Sequence, residues 1–187
     1  MNPAYAKGDT GNWIEDSGFV RRLLSDDNDG SRHQRFVIQL RAGQSLLIAH
    51  THIHSVEPIL DVVIETGHGQ ALGVLQLGEE QWPVYCMDGD LNILDGLPAK
   101  RRACVLLKSD HGGIGILCDE VRVVDNAALT LVPVPACMSG EENLMESLAI
   151  IDGKVTCVLE ADRLSAMLFA QTADGAIEAI PLAAEEQ

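Results

Sequence analysis

From residue 33 onward the apolar residues come in short bursts broken by glycine, proline and acidic turns. "RFVIQLRAGQSLLIA" reads as two strands about a turn at Ala42-Gly43-Gln44. "HTHIHSVEP" closes on a proline, and the residue before a proline avoids the helical region, so Glu57 is expected to end a short turn. "ILDVVIETGHG" is a loop or strand with Gly67 and Gly69 as breakers. "QALGVLQLGEEQWPVYCM" has the form of a hairpin, and "DGDLNILDGLP" that of a short turn or helical piece. The second half repeats the theme: two strong strands joined at "SDHGG", then "EVRVV", a proline-punctuated "ALTLVPVP", and a hairpin turning at Asp152-Gly153.

Helical spacing is found only at the ends. Leu164, Met167 and Leu168 share a helix face, with Asp162 in the first turn, where the helix dipole favours an acid. Val20, Leu23 and Leu24 also fall at helical spacing, beside apolar Trp13, Ile14 and Phe19, until "SDDNDG" stops the segment. The pattern divides the chain into a partly helical N-terminal extension at 1–32, a domain at 33–169 and a small, acidic tail at 170–187. The extension reads either as a short helix packed on the body or as an arm that docks on a partner. About nine close-spaced strands with one C-terminal helix make the domain all-β, as one or two small barrels. The alternating βα order of a Rossmann-like fold is missing.

Composition narrows the function classes. The 187 residues are 47% hydrophobic, enough for a folded core, and the formal net charge of −15 disfavours nucleic acid and anionic lipid as partners. No basic-then-apolar leader and no apolar run near membrane-spanning length occurs, so a cytoplasmic protein without direct membrane insertion is expected. The five cysteines, Cys86, Cys104, Cys118, Cys137 and Cys157, are odd in number and form no CxxC. Cys104, Cys118 and Cys157 lie in strand-like runs, and are read as free, mostly buried thiols of a reducing compartment.

Local clusters of chemistry are weak as catalytic signals. Glu79 and Glu80 fall in a hairpin turn, where exposure gives no pocket to split their pKa values. Ser109, Asp110 and His111 are consecutive, and adjacent residues cannot orient one another as a triad. "HGGIG" lacks the lysine and hydroxyl residue of a phosphate loop. In a chain with only 4% aromatics, Trp82 and Tyr85 stand three apart on opposite strand faces, one expected in the core and one exposed. Arg101 and Arg102 begin a strand as solubilising charge.

Several stretches resemble one family. "GVLQLGEEQWPVYCM" at Gly73–Met87 is similar to the pattern G-V-I-N-L-R-G-x-x-x-P-V-x-D-L, and "GIGILCDEVRVV" at Gly113–Val124 to G-L-L-V-D-x-V-x-x-V. "LTLVPVP" followed by "ESLAIIDGKVTCVLEADRLSAML" resembles the family's ending, a hairpin leading into an L-D-x-x-x-L helix. The family is that of CheW-like domains, the coupling proteins of bacterial chemotaxis and type IV pilus chemosensory systems, and the resemblance runs from about His33 to Phe169. It implies two intertwined five-stranded SH3-like barrels, no catalytic residue and no cofactor. It implies a scaffold that holds a chemoreceptor's cytoplasmic tip in a hydrophobic groove between the barrels and a histidine kinase's regulatory, CheW-like domain at a barrel end. By position, Ile53, Val56, Leu77, Gly78 and Val84 are the expected partner contacts. The family's arginine after N-L falls on Gly78, its next glycine on Glu79, the aspartate after P-V on Cys86, and the glutamate of V-x-E-V on Ser55. These departures point to a divergent member, with weaker or altered receptor choice.

The run "HTHIH" carries the competing reading. Extended, it would aim His50, His52 and His54 to one side, as a zinc enzyme's three ligands would be. Placed against the family, the strand ends at Ala49, before His52, and the shared face is lost. A metal-binding protein or metal-dependent hydrolase built on these histidines therefore stands as the alternative to a non-enzymatic adaptor. A third reading is an accessory barrel that binds a partner outside chemosensing through its N-terminal arm.

Overall fold

The computed structural model describes residues 34–64 and 71–175 other than 42, 43, 139, 141, 142 and 152. The N-terminal extension and the residues after Gly175 lie outside it, as does the breaker segment containing Gly67 and Gly69. Twelve strands are described: β1 (Gln34–Arg41), β2 (Gln44–Ala49), β3 (Ile53–Pro58), β4 (Val62–Ile64), β5 (Gly73–Leu77), β6 (Glu80–Cys86), β7 (Ala103–Leu107), β8 (Ile114–Cys118), β9 (Glu120–Asp125), β10 (Thr130–Val132), β11 (Met145–Ile151) and β12 (Lys154–Leu159). Helix α1 spans Ala161–Gly175, running past the Phe169 at which the pattern ends the domain. The strands beyond the expected nine include β4 and β10, each three residues long and too short to show a period.

Two six-stranded sheets form, in the orders β10-β11-β12-β2-β1-β9 and β3-β7-β8-β6-β5-β4. In each, the two edge strands are neighbours in the chain, joined by one 3-10 turn: Ile59–Asp61 between β3 and β4, Asn126–Ala128 between β9 and β10. A link of three residues (59–61) or four (126–129) between opposite edges requires each sheet to curl round on itself. The described core is therefore a pair of barrels, as the spacing and the family resemblance imply, each with six strands rather than five.

The two sheets have one topology. In the first, the β1–β2 hairpin meets the β10–β12 meander through a parallel β2–β12 pair, with β9 on the hairpin's far side. In the second, the β7–β8 hairpin meets the β4–β6 meander through a parallel β8–β6 pair, with β3 on its far side. Each half of the chain is thus a hairpin, an edge strand, a 3-10 turn and a meander. Each half places its hairpin in one barrel and everything after it in the other. This exchange intertwines the barrels.

Strand alternation sorts the core into three parts. On β7, Cys104 and Leu106 point into the second barrel while Val105 and Leu107 point out of it; on β2, Leu47 points into the first barrel and Leu46 and Ile48 out. The outward residues meet in a central core between the barrels, with Ile38, Leu40, Ile114, Ile116 and Tyr85. Runs such as "ACVLL" and "IGILC" lack alternation because both their faces are buried. Helix α1 closes this core with Ala161, Leu164 and Leu168, and Met167 packs beside them, so the helical face expected from sequence forms.

Trp82 and Tyr85 do lie on opposite faces, but neither is exposed: Trp82 fills the second barrel and Tyr85 the central core. Arg101 is likewise no surface charge. Its guanidinium is buried, pairs with Asp119 at 2.8 Å, and donates to the Met87 carbonyl and the Cys86 sulfur, pinning the end of β6 to the starts of β7 and β9. Arg102 stays exposed. The five cysteines are free; Cys86, Cys104 and Cys118 are buried, Cys157 is half-buried and Cys137 exposed. Burial pushes the Cys104 thiol well above its ordinary range and Cys118 up to about 12, so both stay protonated. Removing one member of a buried ion pair strands the other, so Arg101→Ala is expected to cost about 3–5 kcal/mol in urea unfolding. A loss under about 1 kcal/mol would show that the pair does not hold β6, β7 and β9 together.

Candidate functional site

An open groove lies where the first barrel meets the loop that follows β6. Leu46, Leu91, Leu144, Met145, Val155 and Cys157 line it, and its volume is about 380 Å³. Alternation on β11 and β12 builds one wall. Ala149, Ile151 and Val158 turn into the first barrel, which aims Leu148, Ile150, Val155 and Cys157 outward. That outward face continues the face that Leu46 presents to the central core, but here, among the described residues, it is left partly open, with Val155 and Ile150 exposed. Val155 is 68% exposed, and Ile150 and Val132 beside it are also open, so the groove grades into an apolar stripe across the meander.

The opposite wall is a strained loop. The Asp88 carboxylate accepts from the backbone N–H groups of Asp90 and Asn92, each at 2.9 Å, a side-chain-made turn. Within it Leu91 sits at φ +66, a left-handed conformation that a bulky side chain rarely adopts. Such strain persists only where the surroundings over-determine it, and here it directs a leucine into the groove. The second barrel carries its own apolar edge: Leu60 in the 3-10 turn is 91% exposed, and Val63 and Ile64 on β4 are open beside it.

The partner contacts expected by position divide. Ile53 and Val56 are buried in the central core, and Val84 is fully buried inside the second barrel, so they shape the fold and offer a partner little surface. Leu77 is half-buried and Gly78 exposed at the tip of the β5–β6 hairpin. Leu77 pairs with Glu80, leaving the two-residue loop Gly78-Glu79. Only Gly78 has positive φ, at +63, the type II′ pattern that calls for glycine at the first loop position. The change from the family's arginine thus coincides with a backbone that disfavours any side chain. Of the other departures, Cys86 and Ser55 are buried and lie off the surface. Glu79 and Glu80 are both exposed, Glu79 in the turn as expected and Glu80 as the first residue of β6.

The histidines do not share a face. His50 and His52 form a 3-10 turn between β2 and β3, and His54 is the extra residue where the β3–β7 register shifts. His54 stacks on Trp82, ring centroids 5.0 Å apart and planes 14° from parallel, over the mouth of the second barrel. Among the described residues, no group of three or more His, Cys, Asp or Glu side chains is placed to hold a metal ion. The Ser109–Gly113 segment is a turn latched to α1: the Asp110 N–H donates to Asp162 at 2.9 Å and the Ser165 hydroxyl to Ser109 at 2.6 Å.

A mostly β chain of two curled mixed sheets with one C-terminal helix is the CheW-like two-barrel class of fold. The crystal structure of the scaffolding protein TtCheW from Thermoanaerobacter tengcongensis is similar at a TM-score of 0.51 and 15% identity, covering 71% of this chain and 87% of that one. At that identity the likeness concerns the fold. A family model described as "Protein of unknown function (DUF3465)" matches residues 1–69, the N-terminal extension with β1–β4. Among curated proteins, none matches the chain. No helix among the described residues is long and apolar enough to cross a membrane.

Sequence reasoning missed the groove. Leu148, Ile150 and Val155 sit in runs that look like those of β7 and β8, and only the packing shows that one of their faces is bare. The His54 stack does have a measurable consequence. Burial, and to a lesser degree Lys108, lower the His54 pKa below 6.5, against a smaller opposing pull from Glu80 and Glu57; burial lowers His50 as well. The folded chain therefore binds these protons less tightly than the unfolded chain. Stability is full above pH 6.5 and falls as pH drops below it. The urea midpoint is expected to decline between pH 7.5 and 5.5, with a shallower decline in His54→Gln. An equal slope in the variant would contradict the stacking account.

Proposed function

We propose that this protein is a non-enzymatic, cytoplasmic adaptor of a bacterial chemosensory system. It couples a chemoreceptor's helical cytoplasmic tip to the regulatory domain of a CheA-type histidine kinase, in chemotaxis or in type IV pilus motility. The observation that carries the reading is the open apolar groove beside the central core. One side is the outward face of β11 and β12 and the other the turn that carries Leu91, an arrangement suited to the apolar stripe of a helix. The two-barrel fold shared with a scaffolding protein supports the same reading.

Two separate surfaces make bridging possible. In this reading the receptor helix lies along Val155, Ile150 and Leu91, and the kinase domain packs at the second barrel's end against Leu60 and Val63. Recognition is driven by shape and apolar contact, with little charge at the contact centre. Gly78 at the hairpin tip removes the charged donor carried by other family members, which favours a receptor unlike those of standard arrays.

Val155 and Leu60 are exposed enough that substitution leaves stability within about 0.5 kcal/mol. The test is capture from the native host by the wild-type chain, Val155→Asp and Leu60→Asp. The wild type is expected to bring down a receptor and a histidine kinase. Val155→Asp is expected to lose the receptor and keep the kinase, and Leu60→Asp the reverse. Wild-type eluates holding neither partner would overturn the reading, and loss of both partners from either variant would overturn the assignment of two surfaces.

A further inference from the structure

The repeat within the fold shows what kind of object the groove fits. We infer that the groove is a helix seat, the counterpart of the one α1 fills, and that it takes a partner's amphipathic helix with α1's apolar spacing and a lysine or arginine beside the stripe. The inference deepens the adaptor reading and rests on it for the class of protein that brings the helix.

The register of the two parallel pairs sets the correspondence. Tyr85 of β6 pairs with Ile116 of β8 as Cys157 of β12 pairs with Leu46 of β2. Tyr85 is fully buried, in one core with Ile114, Ile116 and the α1 residues Leu164 and Leu168. Its counterpart Cys157 is half-buried, and Val155 is open. Counted onward from these pairs, Gly89 stands where Ala161, the first residue of α1, stands. The two segments also dock alike, each on the hairpin that begins its own half of the chain. Helix α1 holds the β7–β8 turn through Asp162 and Ser165, and the Gly89 backbone lies directly against the side chain of Gln44 at the start of β2. From there one segment runs on as a 15-residue helix. The other makes the turn that presents Leu91, and the sheet face beside it stays open.

Pattern and charge define the occupant. Helix α1 fills its seat with Ala161, Leu164 and Leu168, positions i, i+3 and i+7 of one stripe. A groove walled by the equivalent sheet face takes the same spacing. Leu91 also lines a second opening, of about 350 Å³, with Asn92, Ile93, Asp95 and Gln171. The Asn92 amide nitrogen donates to both Asp88 carboxylate oxygens, at 3.3 and 3.1 Å, which leaves its Oδ1 to accept. Asp95 and, on the groove's own rim, Asp90 are exposed carboxylates. Acceptors of this kind suit the N–H groups of a lysine or arginine. The chain's own cations nearby are engaged or turned away: Arg163 pairs with Glu160 at 2.6 Å, and Lys154 lies opposite inward-facing Ile151.

The probes are three helical peptides of α1's length. Two carry alanine, leucine and leucine at α1's spacing, flanked by lysine in one and by glutamate in the other; the third has lysine flanks and serine in the stripe. Binding of each to the full-length chain is read by fluorescence anisotropy. The lysine-flanked stripe is expected to bind at least about tenfold tighter than the glutamate-flanked one. It is expected to weaken about tenfold on Val155→Asn and about threefold on Asp95→Asn. Equal binding of the two stripes would overturn the charge assignment, and equal binding of the serine peptide would overturn the seat. A wild-type chain that sediments as a dimer where Val155→Asn is a monomer would overturn the partner in favour of a second copy. Capture from the native host separates this inference from the reading beneath it. A receptor in the eluate with no probe bound removes the helix seat and keeps the adaptor. A bound lysine-flanked probe with neither receptor nor kinase captured keeps the seat and removes the adaptor.

Discussion

Strands β6, β7 and β8 are apolar on both faces, β1 and β2 turn Ile38, Leu40, Leu46 and Ile48 outward, and the faces these strands turn away from their own barrels meet in the central core. The other features depend on that contact. Neither barrel completes itself: the first takes its hairpin from the start of the chain and its meander from the end, and the second takes everything in between. Among the described residues the first barrel's interior holds five buried apolar side chains, Val37, Leu47, Ala149, Ile151 and Val158, with Val124 and Leu129 packed against them. A core that slight supplies little stability alone, so the barrels are held by what they share. Helix α1 adds to the shared core rather than to either barrel, and the turn before β8 is latched to its first residues.

The groove is a by-product of that geometry. The outward face of the first barrel's sheet is covered by the second barrel over β1, β2 and the end of β12, and runs out uncovered over β11 and the start of β12. Where cover ends, the Asp88 turn and the left-handed Leu91 provide an edge. Apolar surface that would complete a larger core is instead left open. Arg101, tied to Asp119 and to the last residues of β6, anchors the strand from which this loop departs.

Much of the fold was legible because local signals and packing agree. The β1–β2 hairpin and the hairpins about Gly78 and Gly153 join apolar runs, and the α1 face shows its period. Other features were hidden for physical reasons. An unbroken apolar run says that both faces are apolar and not what covers each, so "ACVLL" and "LAII" look alike although one is buried twice and the other once. Trp82 and Tyr85 follow the strand period, but the period alone implies one exposed face, because a second core on the far side has no local signature. Arg101 looks like surface charge until Asp119, eighteen residues on, is brought to it. The repeated half-chain topology leaves almost no identity: across the β3 and β9 edge strands, Val56 and Val123 are the matching pair of like residues. Of the positions carried over from the family, the surface ones, Leu77 and Gly78, lie on a hairpin tip, while the groove is built from residues that are not among the partner contacts expected by position.

Interdependence of the barrels is the central claim, and native-state hydrogen exchange tests it most directly. Amides of β1 and β2 in the first sheet and of β7 and β8 in the second are predicted to share their highest opening free energy to within about 1 kcal/mol, because neither sheet can open without the common core. Exchange of the first sheet through an opening several kcal/mol cheaper than that of the second would mean that the barrels are separate units, and would contradict the account.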